Sequence, residues 1–305
     1  MIAPTSVLGQ VLGMDTPAAR PPFLLRLGAF IRFSHTVFAL PFALIAMLVA
    51  SDGNISAATL GWILLCAVSA RTFAMCFNRL ADWHVDKLNP RTSERHTLVS
   101  RPQAGATLLV SAGASIWATH KLNAACFALS PLMLLILSFY SLTKRFTPFS
   151  HFFLGLALAV APAGAWIAVR SSLASPEPFL LGFAVLVWTF GFDLIYSTLD
   201  AEFDQTHSLF SFPARFGIPA ALKLAKALHL VAALSFIAFG ISAGLGVFYG
   251  AACLLTLCAL VWEHRLAATL DPGQINKAFF QINALVSMTL LVGTLLDLKV
   301  WRLIL

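Results

Sequence analysis

Residues 57–86 of the 305-residue chain read AATLGWILLCAVSARTFAMCFNRLADWHVD. The first 24 of these residues form a mostly apolar run, and a membrane-spanning helix needs about 20 such residues. The run contains Arg71 and Arg79, and it is followed at once by the carboxylates of Asp82 and Asp86. This stretch therefore predicts a membrane-spanning helix that carries charged side chains at one end.

The composition of the whole chain points to the same environment. Hydrophobic residues make up 59% of the sequence and charged residues 11%, and the mean hydropathy is +0.85. Soluble domains carry about 25% charged residues, so an ordinary water-soluble enzyme and a disordered chain are excluded. The apolar runs are continuous rather than alternating, which favours helices over a barrel. Nine runs occur, at about 27–50, 57–80, 104–120, 123–141, 149–170, 178–200, 226–245, 247–263 and 278–298. We predict an all-α, polytopic membrane protein with about nine transmembrane helices.

The distribution of basic residues predicts the orientation. With nine spans, the N-terminus and the long even-numbered connections share one side, which holds 15 of the 20 Lys and Arg residues, against 4 on the other side. Cytoplasmic loops carry this excess, so the net charge of +7 needs no nucleic-acid partner. We expect a short cytoplasmic tail over residues 1–24 and one integral-membrane domain over residues 25–305. The expected location is a bacterial inner membrane, with the long loops in the cytoplasm.

The first acidic cluster occupies one face of a predicted helix. Asn78, Asp82 and Asp86 follow one another at intervals of four residues. At ~100° per residue, each step drifts by only about 40°, so the three side chains line one face. Arg71 lies seven residues before Asn78, which places it within about 20° of the same face. Carboxylates at the ends of apolar helices are costly and indicate function.

A second acidic cluster has a similar pattern. Asp193, Asp200 and Asp204 again fall within about 40° of one another on a helix, and Tyr196 lies about 60° to one side. Two acidic faces repel each other unless cations lie between them. Hard oxygen ligands without His or Cys partners select Mg²⁺ over zinc, and phosphate oxygens complete its shell. The two clusters predict a pyrophosphate held through Mg²⁺ between two helices.

Basic side chains collect at the same rim, where they suit pyrophosphate oxygens. Lys144 follows Tyr140 by four residues, so the two share a helix face. The rim residues are Lys87, Arg91, Arg95, Lys144 and Arg145.

The sequence resembles the UbiA-type intramembrane aromatic prenyltransferases over about residues 27–300. The matching segments are Asn78-Arg-Leu-Ala-Asp82-x-x-x-Asp86 with Asn89-Pro90-Arg91-Thr92, Tyr140-x-x-x-Lys144-Arg145-Phe146-Thr147, Asp193-x-x-Tyr196-x-x-x-Asp200-x-Glu202-x-Asp204 with Ser211-Phe212-Pro213-Ala214-Arg215-Phe216-Gly217, and Asn276-Lys277-Ala278-Phe279-Phe280-x-x-Asn283. The resemblance is strongest to the 4-hydroxybenzoate polyprenyltransferase branch, which includes relatives that act on dihydroxynaphthoates in menaquinone pathways. It implies nine helices around a central cavity. Many relatives carry an aspartate where this chain has Arg79.

The resemblance also implies residue roles. The expected ligands of the Mg²⁺–diphosphate are Asp82, Asp86, Asp200 and Asp204. The expected substrate-binding residues are Arg32, Asn78, Arg91, Tyr140, Lys144 and Arg145. The expected catalytic residues are Arg71, which looks like the acceptor-side arginine, with Asp193 and Tyr196. Asp193 and the diphosphate itself are the candidates for the base.

We therefore expect Mg²⁺-dependent transfer of a polyprenyl group from polyprenyl diphosphate to a ring carbon of a 4-hydroxybenzoate-like acid, in ubiquinone biosynthesis. The same chemistry on a dihydroxynaphthoate, in menaquinone biosynthesis, is an alternative. Haem farnesylation is another alternative. A membrane phospho-alcohol transferase would carry Asp-Gly-x-x-Ala-Arg, which is absent. An ion-coupled transporter would place its aspartates near the bilayer midplane on broken helices.

Overall fold

The computed structural model describes residues 21–304, with side chains described up to residue 298. Within these residues the chain is helical and contains no strand. The expected tail over residues 1–24 lies outside the described residues except for its last four, and the single domain over residues 25–305 stays a prediction. The α-helices are α1 (Phe23–Phe30), α2 (Leu40–Ala50), α3 (Ala57–Ala81), α4 (Trp83–Leu88), α5 (Arg95–Leu98), α6 (Arg101–Leu122), α7 (Ala124–Thr143), α8 (Ser150–Arg170), α9 (Glu177–Ser197), α10 (Ala201–Thr206), α11 (Phe212–Phe216), α12 (Ile218–Ser242), α13 (Val247–Ala267), α14 (Pro272–Lys277) and α15 (Asn283–Ile304).

Between residues 21 and 304, nine long helical segments correspond to the nine predicted runs, which confirms the all-α membrane architecture. Besides the α-helices, the described residues form two 3-10 turns, at Phe33–Phe38 and Thr198–Asp200, and one π-helical turn, at Ala278–Ile282 between α14 and α15. In the described part of the chain, eight segments are long and apolar enough to cross a membrane. The ninth, α6, has the length but is more polar.

The polar residues of α6 are satisfied within the helix itself. Ser111, Ser115 and Thr119 are buried, and each hydroxyl donates to a carbonyl three residues earlier. Because α6 packs along α3, this polar face is covered by protein rather than by lipid. The helix therefore agrees with the prediction in position, although its composition alone does not mark it as a span.

Local capping fixes where several helices begin. The Ser56 hydroxyl accepts from the N–H of Thr59 at the start of α3. Ser100 and Gln103 form a reciprocal capping box at the start of α6. Asn123 caps α7 and also donates to the carbonyls of Ile167 and Ala168, which ties the start of α7 to the end of α8.

The core lies where α2, α9 and α12 meet. Phe42, Trp188 and Phe236 are fully buried there, and the Phe42 and Phe236 rings stack with centroids 5.5 Å apart. Helix α9 packs between α8 and α12. The crossing of α8 and α9 is especially close, since a Cβ on Gly155 would lie 2.4 Å from the carbonyl oxygen of Leu186.

The two acidic clusters lie at helix ends rather than within single unbroken helices. Helix α3 ends at Ala81, and Asp82 joins it to α4, with φ −92° and ψ 12°. The hydrogen bonds from the Asp82 N–H to Asn78 and from the Asp86 N–H to Asp82 preserve the helical register. A 3-10 turn at Thr198–Asp200 similarly joins α9 to α10. The predicted faces survive because both breaks keep the helical repeat approximately.

Candidate active site

The ends of α3 and α9 open into a polar cavity of about 300 Å³. Its wall includes six Arg or Lys side chains and five Asp side chains, so it combines many charges in a small volume. Of the thirteen predicted site residues, twelve line it: Arg32, Arg71, Asn78, Asp82, Asp86, Arg91, Tyr140, Lys144, Asp193, Tyr196, Asp200 and Asp204. The structure thus brings together side chains that are more than 160 residues apart in sequence.

Arg145 is the predicted site residue that does not line the cavity. Its side chain is 47% exposed, donates to the carbonyl of Ala81 and lies 3.6 Å from Asp82 Oδ1. It therefore supports the cavity wall from outside. The rim residue Lys87 is also exposed, and its ammonium lies over the Trp83 ring.

The first acidic wall is held by resident cations. Lys144 Nζ lies 2.7 Å from Asp82 Oδ2, and the Asp82 carboxylate is almost fully buried. Asp86 is paired with Arg79 at 3.5 Å and with Arg95 at 3.2 Å. Each of the two carboxylates is therefore held by basic side chains of the chain itself.

The second wall is organised around Arg91. Its guanidinium forms a two-point pair with the Asp200 carboxylate, and Asn89 Nδ2 donates to the same carboxylate at 3.1 Å. Arg91 Nη1 also donates to the Tyr196 hydroxyl at 2.6 Å, and Arg32 Nη1 donates to that hydroxyl at 3.1 Å. Tyr196 stacks on Phe279, with ring centroids 4.0 Å apart. The hydroxyl of Tyr196 thus fixes two arginines at the cavity wall.

The pKa values of two loop arginines, Arg91 and Arg95, reflect the charges that surround them in the site. Burial lowers the pKa of Arg91, but its hydrogen bond to Asp200 and the proximity of Tyr196 outweigh that effect, and the pKa is raised. Burial, followed by the charge of Arg79, lowers the pKa of Arg95 to about 9. An arginine that is repelled by neighbouring arginines lies in a region of positive potential, and such a region stabilises an anion.

An apolar cavity of about 380 Å³ adjoins the polar one. The two share the lining residues Arg71, Met75, Tyr140, Leu154 and Leu158. Arg71 Nη2 donates to the carbonyl of Arg32 at 3.4 Å, whereas its Nε is buried without a hydrogen-bond partner among the described residues. A buried donor without a partner at the boundary of two cavities is suited to a polar ligand group.

The residues fit a divalent cation that is shared with a phosphate group. Asp82 Oδ1 is buried and makes no hydrogen bond within the described part of the chain. In residues 21–298, no three His, Cys, Asp or Glu side chains come close enough to hold a metal by themselves. Mg²⁺ takes one or two carboxylates and completes its shell with water and phosphate oxygens, so carboxylates spread over two walls suit it.

Three functional candidates in the wall were missed from sequence. Arg79 is buried and donates to Asn78 as well as pairing with Asp86, a contact that its spacing of seven residues could have suggested. Asn89 lines the cavity and donates to Asp200, although its position in the Asn89-Pro90-Arg91-Thr92 segment predicts no such role by itself. His151 pairs with Asp193, a contact that no local pattern reveals because the two residues lie 42 positions apart.

The fold and the cavity define an integral-membrane helical protein with a charged cavity at the ends of two of its helices. The sequence model of the UbiA prenyltransferase family matches residues 39–285, so the chain belongs to that family. The predicted resemblance is thereby confirmed.

Individual relatives agree with this assignment. A 4-hydroxybenzoate octaprenyltransferase of Nitrosospira multiformis is 27% identical, with 77% of this chain and 81% of the relative aligned. One of Ectopseudomonas mendocina is 29% identical, over 83% of this chain and 85% of the relative. The apo structure of a UbiA homologue from Aeropyrum pernix K1 is 32% identical and superposes with a TM-score of 0.79, over 86% of this chain and 98% of that one. A UbiA homologue from Archaeoglobus fulgidus bound to GPP and Mg²⁺ shares the fold at 18% identity, with a TM-score of 0.67 over 90% of this chain and 99% of that one.

Proposed function

We propose that this protein transfers a polyprenyl group from polyprenyl diphosphate to a ring carbon of an aromatic hydroxy acid of the 4-hydroxybenzoate type, in quinone biosynthesis. The observation that carries the proposal is the convergence of both acidic clusters on one cavity that adjoins an apolar cavity. This arrangement supports a substrate with a doubly charged head and a hydrocarbon tail. The names of the bacterial relatives support the same reaction class and acceptor.

The diphosphate binds in the polar cavity in this proposal. Lys144, Arg91 and Arg32 contact its oxygens, because lysine ammonium and arginine guanidinium groups favour phosphate. Asn78 and Tyr140 line the same space, and Arg145 braces Asp82 at the outer rim.

Asp82, Asp86, Asp200 and Asp204 would hold Mg²⁺ together with the diphosphate. When bound, Mg²⁺ would neutralise negative charge that develops on the leaving group. The carboxylates that now pair with Lys144 and Arg91 would exchange these partners as the ligand enters. The Archaeoglobus fulgidus homologue, which binds GPP and Mg²⁺, supports this use of metal.

The acceptor lies deeper, at the boundary of the two cavities. Arg71 pairs with its carboxylate and so presents the ring carbon ortho to the hydroxyl to the allylic carbon. The cationic wall stabilises the leaving diphosphate as the allylic C–O bond breaks. The proton of the attacked ring carbon then leaves, and Asp193 or the diphosphate accepts it. The prenyl chain extends through the apolar cavity toward lipid.

An acceptor panel tests this proposal. The purified full-length protein, in detergent with Mg²⁺, is given farnesyl diphosphate with 4-hydroxybenzoate or with dihydroxynaphthoates, and products are identified by mass. We expect C-prenylated 4-hydroxybenzoate and no product without Mg²⁺. If only a dihydroxynaphthoate is prenylated, the acceptor is a naphthoate and not a hydroxybenzoate. If no acceptor is prenylated, the proposal is contradicted.

The location follows from the charge asymmetry. We infer a bacterial inner membrane with the polar cavity open toward the cytoplasm, since the loops that carry most of the Lys and Arg residues flank this cavity. The protein is then surrounded by membrane lipid, and the prenyl substrate reaches it from that lipid.

A further inference from the structure

The π-helical turn at Ala278–Ile282 takes no direct part in the proposed reaction, although it lies beside the polar cavity. A π-helix forms hydrogen bonds from residue i to residue i+5, so such a turn holds one residue more than an α-helical turn. At ~100° per residue, the extra residue rotates the side chains before it by about 100° relative to those after it. The turn therefore determines the direction in which its own side chains face, and Phe279 is one of them.

Phe279 connects this turn to the arginines that the proposed diphosphate contacts. Its ring is buried in the cavity wall and stacks on the ring of Tyr196, with centroids 4.0 Å apart. The Tyr196 hydroxyl accepts hydrogen bonds from Arg91 and Arg32. Because the two rings are stacked, the direction of the Phe279 ring affects where Tyr196 holds these two arginines.

The side-chain amide of Asn283 holds the turn in place. Its Nδ2 donates to the carbonyl of Phe279 at 3.0 Å and to Glu263 Oε1 at 2.8 Å. An amide NH₂ group has two donor hydrogens, so both are used. The first bond fixes the backbone of the turn, and the second ties it to α13, which carries Glu263. The amide therefore sets the position of the Phe279 backbone relative to a neighbouring helix.

The partner of Asn283 is a carboxyl group inside the helix bundle. Glu263 is fully buried, and its Oε2 has no hydrogen-bond partner in residues 21–298. His229 Nδ1 lies 3.6 Å from that oxygen. A buried acid with so few hydrogen bonds is costly, and ionisable residues within membrane helices commonly serve a function. This cost indicates a positioning role for Glu263 rather than a contribution to stability.

We propose that Asn283, held by Glu263, is a positioning residue for the diphosphate head of the substrate. It fixes the π-helical turn that sets Phe279 against Tyr196, and Tyr196 in turn aligns the two arginines. Both Asn283 and Glu263 are fully buried and lie behind the described residues that line the cavity, so they act through the wall and not by contact. This inference rests on the diphosphate site of the proposed function.

The test is calorimetric binding of farnesyl thiolodiphosphate, an unreactive analogue, to the full-length protein in detergent with Mg²⁺. Asn283→Leu and Glu263→Leu should each weaken binding by about 2- to 30-fold, the range for residues that act through others. Glu263→Gln keeps the Oε1 acceptor and the shape of the side chain, so it should restore most of the affinity. Thermal unfolding of each variant reports whether it folds.

Two controls separate positioning from a general loss of stability. Tyr249→Phe removes a buried hydrogen bond to the carbonyl of Phe236, and Tyr249 lies on the same helix as Glu263, about 21 Å along its axis. Glu202→Gln neutralises an exposed carboxylate of α10. Both variants should bind the analogue as the wild type does, although Tyr249→Phe should unfold at a lower temperature.

A double-mutant cycle tests whether the effect passes through Tyr196. Tyr196→Phe keeps the ring but removes the hydroxyl that binds both arginines. If Asn283 acts through that hydroxyl, adding Asn283→Leu to Tyr196→Phe should weaken binding much less than Asn283→Leu does alone. Phe279→Leu removes the stacked ring and keeps the Asn283 amide, so it serves in the same cycle if Asn283→Leu does not fold.

The outcomes separate this inference from the proposed function. It is overturned if folded Asn283→Leu and Glu263→Leu keep wild-type affinity, if Glu263→Gln binds no better than Glu263→Leu, or if the two losses in the cycle are independent. If the predicted losses appear but the wild type prenylates no acceptor, the proposed reaction fails while this inference stands. If the wild type does not bind the analogue, the diphosphate site and this inference fail together.

Discussion

At the scale of single residues, the site is a set of charges held in place before substrate arrives. Lys144 and Arg91 pair with Asp82 and Asp200, which the proposed metal would need, so the charges of these two ion pairs offset one another. Arg71 is different, because its Nε has no hydrogen-bond partner in the part of the chain that the structure describes. That unused donor is the feature of the wall most directly suited to an acceptor carboxylate.

Arg71→Gln should therefore weaken acceptor binding. Hydrogen bonds to charged groups contribute about 1.5–3 kcal/mol, which corresponds to a rise in acceptor KM of about 10- to 150-fold. Arg71→Lys should recover only part of this, since an ammonium cannot make the two-point contact of a guanidinium. Steady-state kinetics at saturating prenyl diphosphate measure both effects. Arg101→Gln, which removes an exposed charge, serves as the control. An unchanged acceptor KM in Arg71→Gln would contradict the assignment.

At the scale of helices, the crossing of α8 and α9 brings His151 to Asp193. Gly155 lies one turn after His151, and its missing side chain lets the backbone of Leu186 approach. Because the neighbouring atoms belong to backbone, they cannot rotate away from an added side chain. The close crossing thus couples helix packing to the chemistry of the cavity.

Gly155→Val should force these helices apart. Overpacking a tight contact typically costs about 1–3 kcal/mol, so we expect a lower unfolding temperature in detergent and a lower rate of prenyl transfer. Gly164→Ala on the same helix is the matched comparison for stability, because a Cβ there meets nothing within 4 Å. Equal unfolding temperatures for Gly155→Val and Gly164→Ala would show that the crossing is not tight in solution.

The helices and the composition of the site were largely predictable because both depend on local sequence. Apolar runs predicted where the long helices of the described residues lie, although α6 is more polar than the others, and four-residue spacing placed Asp82 and Asp86 on a common wall with Asn78. The breaks at Asp82 and at Thr198–Asp200 were not predicted, since they keep the helical repeat that the pattern detects.

Contacts between distant segments could not be predicted from local patterns. His151 reaches Asp193 across 42 positions, and no periodicity links them. Arg91 and Arg145 looked equivalent in sequence as basic residues near a helix end. In the structure, Arg91 lines the cavity whereas Arg145 lies outside it. Which of the two arginines reaches the cavity depends on the path of two loops, and a local sequence pattern does not contain that path.

At the scale of the whole molecule, the account depends on two acidic clusters serving one ligand. Asp82 follows α3 and Asp200 precedes α10, and the bundle brings both to one cavity. If they share one Mg²⁺–diphosphate, removing either should disable the same event. Their effects on binding should then be strongly non-additive.

The most direct measurement is calorimetric binding of farnesyl thiolodiphosphate, an unreactive analogue, with and without Mg²⁺. For the wild type and the Glu202→Gln control, we predict that Mg²⁺ strengthens binding. Asp82→Asn and Asp200→Asn should each lose that gain, and the double variant should lose no more, with an interaction energy of about 0.5–3 kcal/mol between the two sites. Full retention of the Mg²⁺-dependent gain in either single variant, or losses that simply add, would contradict a shared site.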